Sequence, residues 1–415
     1  MMLKALRGDV TMVSNNGADF ATPVVKVRVG LIGVGNIGYV HLNQIMQGRV
    51  AGMVMVACCD IDVNKQEQIQ KAFPNLDIYA DYHDLLRRDD VDAVIIAVPH
   101  PLHGQIAIDS FHAGKHVLVE KPVSVTVSVA KNMNTAAEES GKTFCIMFNQ
   151  RTNPLFAKAR EIVQSGQLGE LKRSVWIITN WYRTQFYYDS GNWRATWVGE
   201  GGGVLLNQAP HNLDLWQWIC GMPEEIVGYC DIGKYHDIEV EDDVTIFARY
   251  SNGAVGTFIS STGEYPGTNR LEISGSLGKL VVEDGVLKWW KLQESERDFC
   301  KTANESFAEI PTEYLEFKQE DTGSAHLGIL RNFTNAIICD EPLLSPGSDG
   351  VFELSISNAA YLSSWKGNVP IRMPFDEKEF DLLLSEKQNT SSLKNSAKTG
   401  GKGITEYAQR WKSNW

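Results

Sequence analysis

The sequence predicts a doubly wound parallel α/β domain followed by an α+β domain built on a large, mostly antiparallel open sheet. Three observations carry this. A glycine-rich turn separates an apolar β-rich run from an amphipathic stretch within residues 25–47. Strands and helices alternate to about residue 150. Beyond Gly169 the pattern changes to longer β-rich runs joined by hairpin signals. The 415 residues are 43% hydrophobic and 22% charged, enough to bury a full core and too apolar for a disordered chain.

Val25 to Ile32 reads as the first strand, and Gly33-Val34-Gly35-Asn36-Ile37-Gly38 as the turn into a helix that runs through Gln47. In that order the first glycine permits a tight turn, the second lets the backbone approach a pyrophosphate, and the third lets helix and strand pack closely. A second strand, Met53 to Cys59, ends at Asp60, about twenty residues on, where a carboxylate can accept from a ribose 2′-hydroxyl. Asp60 repels a 2′-phosphate, and Ile61 to Asn64 offer no arginine to attract one, so NAD is expected over NADP. Helices are expected near 65–73, 81–88, 105–113 and 129–140, and strands at 93–98, 116–120 and 143–148. Residues 25–150 then form a Rossmann domain, preceded by a flexible leader over 1–24.

Gly114 to Pro122, a strand ending in Glu120-Lys121-Pro122 after a GxGxxG turn, resembles the Gfo/Idh/MocA oxidoreductases, named for glucose-fructose oxidoreductase and inositol dehydrogenase. Further stretches extend the resemblance over about residues 25–375. They are Val98 to His103, Phe148 to Arg151 with Pro154, Gly166 to Gly169, Gly201 to Gly203 with Asn207 and His211, and Asp349-Gly350 leading to Ser363, Gly367 and Pro370. The resemblance implies an NAD-dependent enzyme in which Lys121 is catalytic. It also implies that Pro99, His103, Glu120, Lys121 itself and Asn149 join Gly33, Gly35, Asn36, Ile37, Gly38 and Asp60 around the cofactor. Physically, a lysine at the carboxyl edge of a parallel strand projects into the crevice where such sheets bind ligands, and burial readily lowers its pKa.

The break to the second domain, 151–375, is expected near Arg151. Strands are expected at 171–181, 225–235, 243–250, 254–261 and 270–274, with Asn252-Gly253 as a hairpin turn. Between Trp176 and Trp197 a dense aromatic stretch is interleaved with polar groups, among them Tyr182, Arg183, Trp193 and Arg194. Rings can cover the C–H face of a sugar while guanidiniums and amides satisfy its hydroxyls. Asn207 and His211, four apart, are expected on one helical face, with Asp214 on the adjacent turn. His211 suits proton transfer near neutral pH. The resemblance implies an aspartate where this chain has Asn207, so Asn207 is expected to orient a hydroxyl while Lys121 and His211 carry the proton. Asparagine at this place also occurs in family members that oxidise the 3-hydroxyl of hexose derivatives, so the resemblance tilts the expected substrate toward these.

The net charge of −12, without basic runs in the body of the chain, disfavours nucleic acid and anionic membranes and favours a small-molecule sugar or glycoside. Seven scattered cysteines without a C-x-x-C pair suit a reduced, cytoplasmic protein. No metal is expected, because no His, Cys and carboxylate trio has ligand spacing. A sheet face carrying Val244, Ile246, Ala248, Val255, Thr257 and Ile259 is expected to support a homodimer or homotetramer. Residues 376–415 are expected to be a polar flexible tail. The expected activity is hydride transfer between a secondary hydroxyl of a sugar, glycoside or cyclic polyol and NAD. The alternative is an NAD-dependent glycosidase that oxidises C3 transiently, eliminates the aglycone and re-reduces.

Overall fold

In the computed structural model the described residues are 25–319 and 324–394, so the expected leader at 1–24 and the last part of the tail lie outside them. The first half alternates as expected: β1 (Val27–Ile32), α1 (Asn36–Met46), β2 (Met53–Cys59), α2 (Val63–Ala72), β3 (Asp77–Tyr79), α3 (Tyr82–Leu86), β4 (Ala93–Ile96), α4 (His103–His112), β5 (His116–Val119), α5 (Val127–Ser140) and β6 (Phe144–Ile146). The six strands pair in parallel in the order β3-β2-β1-β4-β5-β6. Their order reverses direction between β1 and β4, and in open α/β sheets ligands bind at that switch point, beyond the carboxyl ends of the strands. The central strands are buried on both faces, which is why Ala93 to Ile96 reads as an unbroken apolar run.

The second half begins with α6 (Pro154–Gln164) and β7 (Leu171–Ile178), passes through α7 (Gln185–Asp189), α8 (Val204–Asn207) and α9 (Pro210–Cys220), and continues as β8 (Glu225–Ile232), β9 (Glu241–Arg249), β10 (Val255–Ser261), β11 (Asn269–Gly275), β12 (Gly278–Glu283) and β13 (Val286–Leu292). After these come α10 (Glu296–Thr302), β14 (Thr312–Lys318), α11 (Ala325–Cys339), α12 (Gly350–Trp365), β15 (Ile371–Arg372) and α13 (Glu377–Thr390). Nine strands form one sheet in the order β14-β13-β12-β11-β7-β10-β9-β8-β15, antiparallel except where β7 meets β10. Helices α9 and α12 cover one face: a Cβ on Gly256 would meet Trp216 at 2.6 Å, and one on Gly228 would meet the Ala360 backbone.

Two expectations are corrected, and one packing arrangement is added to them. The residues expected on one open face divide between two, because the register sets Thr257 opposite Phe247. Val244, Ile246 and Ala248 point into the helix-covered core, while Phe247 and Val255 are exposed with Tyr229 on the other side. The expected tail is ordered over its first part: Asp376 caps α13 by accepting from the amides of Lys378 and Glu379, and Phe380 and Leu384 are buried in the main core. Finally, α11 turns back onto the first sheet, with Ile329, Leu330 and Phe333 in the same core cluster as Val29 and Leu31. The carboxyl edge of the first sheet is therefore walled by segments more than 170 residues apart in sequence, as in the approach of Asn149 to His326.

Candidate active site

The turn after β1 has the geometry its glycines suggest. Gly33 sits at φ 89°, and a Cβ there would lie 2.6 Å from the Ala97 carbonyl oxygen; one on Gly38 would lie 2.1 Å from Gly33 O. Gly35, by contrast, faces open space before the α1 N-terminus, leaving the first amides of that helix accessible to a pyrophosphate. Asp60, 7% exposed, accepts from the Val34 amide at 2.8 Å and from the Asp62 amide at 3.0 Å, so it braces the same turn. Lys65 Nζ lies 3.3 Å from its carboxylate, a cation one residue beyond the stretch that lacks arginine. These residues fit a dinucleotide.

Along the carboxyl edge, Glu120 and Lys121 follow β5, with a cis Lys121–Pro122 peptide bond. Burial pushes the Glu120 carboxyl up, but His41 Nε2 at 2.7 Å and the neighbouring charges of His326 and Lys121 more than offset this and hold it down at about 2. His41, on α1, carries no local mark in the sequence, because its partner is 79 residues away. His103 bridges two loops, with one ring nitrogen 2.8 Å from Pro122 O and the other 2.9 Å from Val98 O, and Pro99 leads into the short turn before it. Asn149 Nδ2 lies 3.1 Å from a ring nitrogen of His326, whose own pKa burial depresses to about 4.

Lys121 Nζ donates to the main-chain oxygen of Asn207 at 2.6 Å, tying the first half to the second. Burial lowers its pKa, opposed by Glu120, Glu353 and Glu200. His211, 3% exposed, is held well below the ordinary imidazole value by burial and then by the charge of Lys121, so its ring is neutral at pH 7. A lysine cation beside a neutral imidazole can polarise a hydroxyl and accept its proton.

Asn207 and His211 do not share a helix. Asn207 ends α8 and His211 follows Pro210 at the start of α9, with Gln208 and Ala209 as the joint. The short helix α8 is capped from a distance: buried Glu241, on β9, accepts from the amides of Gly203 and Leu205 and from the Tyr361 hydroxyl. A Cβ on Gly203 would lie 1.9 Å from the Glu241 carbonyl oxygen, which accounts for a glycine at that position. Asp214 does not face the cleft chemistry. It forms a two-pronged buried ion pair with Arg151, which also reaches Asp349 at 2.6 Å and so pins the domain junction to α9.

The aromatic stretch is partly core. Trp176, Trp181, Tyr188 and Trp197 are buried, whereas Tyr182 is exposed and Arg183, Tyr187, Trp193 and Arg194 are half-buried. Arg194 lies over the rings of Tyr187 and Trp193 at 4.7 and 4.6 Å, and Arg183 over Tyr187 at 5.1 Å. Among the described residues no group of three His, Cys, Asp or Glu side chains could hold a metal ion, and no helix is long and apolar enough to cross a membrane.

Residues 27–148 match the model of the oxidoreductase family with an NAD-binding Rossmann fold, and residues 156–281 match the GFO/IDH/MocA C-terminal domain. The first half is thus an NAD-binding Rossmann domain of an oxidoreductase. The chain belongs to the GFO/IDH/MocA family. It is 25% identical over 343 residues to myo-inositol 2-dehydrogenase of Thermotoga maritima, covering 80% of this chain and 95% of the relative. It is 30% identical over 273 residues to an α-N-acetylgalactosaminidase of Shewanella oneidensis, covering 62% of this chain and 55% of that protein. Among solved structures, the WlbA dehydrogenase from Bordetella pertussis, in complex with NADH and UDP-GlcNAcA, superposes with a TM-score of 0.71 at 26% identity over 85% of this chain and 99% of that one.

Proposed function

We propose that this chain is an NAD-dependent dehydrogenase of a secondary hydroxyl on a sugar, glycoside or cyclic polyol, with the 3-hydroxyl as the favoured position. The contact of Lys121 with Asn207 and its charge on His211, where β5 ends at the same carboxyl edge of the sheet as the glycine turn after β1, carry this reading. Gly33, Gly35, Asn36, Ile37 and Gly38 would hold the pyrophosphate and Asp60 the ribose, while Pro99, His103, Glu120 and Asn149 border the nicotinamide side. Bound NAD supplies a hydride acceptor for the carbinol carbon. Neutral His211 takes the hydroxyl proton, and the Lys121 ammonium donates to the same oxygen and stabilises its developing negative charge. Asn207 orients a neighbouring hydroxyl, and Tyr182, Arg183, Trp193 and Arg194 form the sugar-facing wall, whose guanidiniums also admit an anionic sugar. Exposed Tyr229, Phe247 and Val255 on the open sheet face would serve self-association, measurable by light scattering.

The test is turnover of NAD with a panel of polyols, glycosides and sugar acids. Lys121→Ala is expected to lower kcat by about a thousandfold while NAD still binds; undiminished turnover would refute the assignment. The second reading, a glycosidase acting through transient C3 oxidation, is favoured by the similarity to the Shewanella oneidensis enzyme. Release of an aglycone from a glycoside without net NADH would select it.

A further inference from the structure

Glu200 is 2% exposed, belongs to no motif, and accepts N–H bonds on both carboxylate oxygens. Oε2 takes the Ala195 amide at 2.6 Å, and Ala195 is held at φ 55°, a left-handed conformation unfavourable for alanine. Oε1 takes Nδ2 of Asn207. That contact gives the Asn207 amide one orientation. Its Oδ1 accepts from the Tyr187 hydroxyl at 3.4 Å, which in turn accepts from Arg194 at 2.8 Å. Its main-chain oxygen accepts from Lys121 Nζ. If the amide were flipped, its oxygen would face a carboxylate oxygen in a dry site, two acceptors with no proton between them.

We propose that Glu200 is a positioning residue: with Asn207 it forms a carboxylate–amide pair in which Glu200 holds the negative charge and turns the Asn207 oxygen toward the hydroxyl side of the cleft. The inference rests on the roles proposed above for Lys121 and His211. Where an aspartate at 207 would combine charge and contact in one side chain, this chain divides them between two. The groups around the Glu200 carboxylate suit an anion there. Burial holds its carboxyl above the ordinary value, and Arg194, the Ala195 and Asn207 N–H groups and Lys121 limit that rise. Lys394 is also close enough to feel its charge, while His100 faces its main-chain oxygen and Tyr188 borders the same pocket.

The test is to exchange the two groups. Asn207→Asp alone sets two carboxylates in contact, so one must keep a proton. Glu200→Gln alone removes the charge and lets the Asn207 amide turn either way. The double variant restores one carboxylate and one amide with their places exchanged. Each single variant is expected to lose about a hundredfold in kcat/KM at about pH 8, and the double variant to recover about tenfold or more over either. A substrate-free measurement separates this from the functional reading. In Asn207→Asp the like-charged neighbour raises a carboxyl pKa further above its unfolded value, so the melting temperature should fall more steeply than that of the unaltered protein as pH rises from about 5 to about 8. The double variant should return to the slope of the unaltered protein. NAD affinity equal to that of the unaltered protein would show that each variant is folded. A double variant no more active than the better single one, or an Asn207→Asp protein that melts with the original pH dependence, would overturn the pair. A protein silent toward every sugar would instead overturn the functional reading, and the melting curves would still decide the pair.

Discussion

The two walls of the cleft are built by different means. On the cofactor side the chain approaches itself backbone to backbone: Gly33 against Ala97 O, Gly38 against Gly33 O, and strands buried on both faces. On the side proposed to face the sugar the polypeptide is irregular between Ile178 and Val204 apart from one short helix, and side chains hold it. Glu200 fastens Ala195 and Asn207, Arg194 fastens Tyr187, and Tyr188 bonds Thr262. A wall made of main chain is determined by local sequence and tolerates little change. A wall made of side-chain contacts can be altered one contact at a time, which is where specificity within a shared fold can vary.

The hardest way to break this comparison is at the hinge between the walls. Arg151 and Asp214 are each 1% exposed at the side chain. Arg151→Ala would leave Asp214 buried without its partner, which costs about 3–5 kcal/mol. A single cooperative denaturation transition displaced by that amount is expected. Two separated transitions would mean that the walls are independently stable and the ion pair a local matter.

The first sheet and helix α11 packed on it should also respond to acid. Burial lowers His116 and His326 to about 4, so each is neutral in the fold while the unfolded chain binds its proton below about 6.5. The folded pKa is depressed, so the neutral form's contribution is complete above the unfolded value and is lost as pH falls toward 4. The expected loss is about 1.4 kcal/mol per pH unit for each histidine across that window. Chemical denaturation at a series of pH values would show it, and His116→Gln should remove its share.

A finer distinction lies at Asp60. Its carboxylate meets Lys65 at 3.3 Å. Asp60→Asn leaves that ammonium unneutralised beside the expected ribose position, so the ratio of kcat/KM for NADP to that for NAD should rise about tenfold. An unchanged ratio would mean that Asp60 serves only to brace the turn through the Val34 amide.

What could be read from the sequence follows the same division. The glycine turn, Asp60 and Glu120-Lys121-Pro122 are contiguous, and their geometry is local, so spacing suffices to place them. Asn207 and His211 were expected on one helix because four residues separate them, yet Pro210 between them is a usual first residue of a new helix and marks the break. The helix at the expected tail also had a signal, Asp376 ahead of Phe380, Leu383 and Leu384 at helical spacing, hidden within a charged composition. His41 and Glu200 had none, and Arg151, although within the Phe148 to Arg151 stretch, gave no sign of its ion pair: each acquires its meaning from a partner that only the folded chain supplies.

The smallest expected effect tests whether the sugar-side wall needs support from outside itself. The segment after α13 runs across that wall: Ser391 Oγ accepts from the Val198 amide at 3.1 Å, the Lys394 amide donates to Asn192 O at 2.9 Å, and Lys394 Nζ donates to Tyr188 O at 2.8 Å. All three contacts fall on α7 or on the loop after it that carries Trp193 and Arg194, and none touches the cofactor side. Helix α13 keeps its own buried anchors, Phe380 and Leu384, so a chain ending at Thr390 should fold. Each lost contact is a part-exposed hydrogen bond of about 1 kcal/mol or less, and the loop retains Glu200 and Tyr188 to hold it. KM for the sugar should therefore rise about threefold to tenfold, with KM for NAD unchanged, because ordering the loop would fall to the substrate. A matching rise in KM for NAD would mean that the strap supports the whole cleft and that the two walls are less separate than their construction suggests.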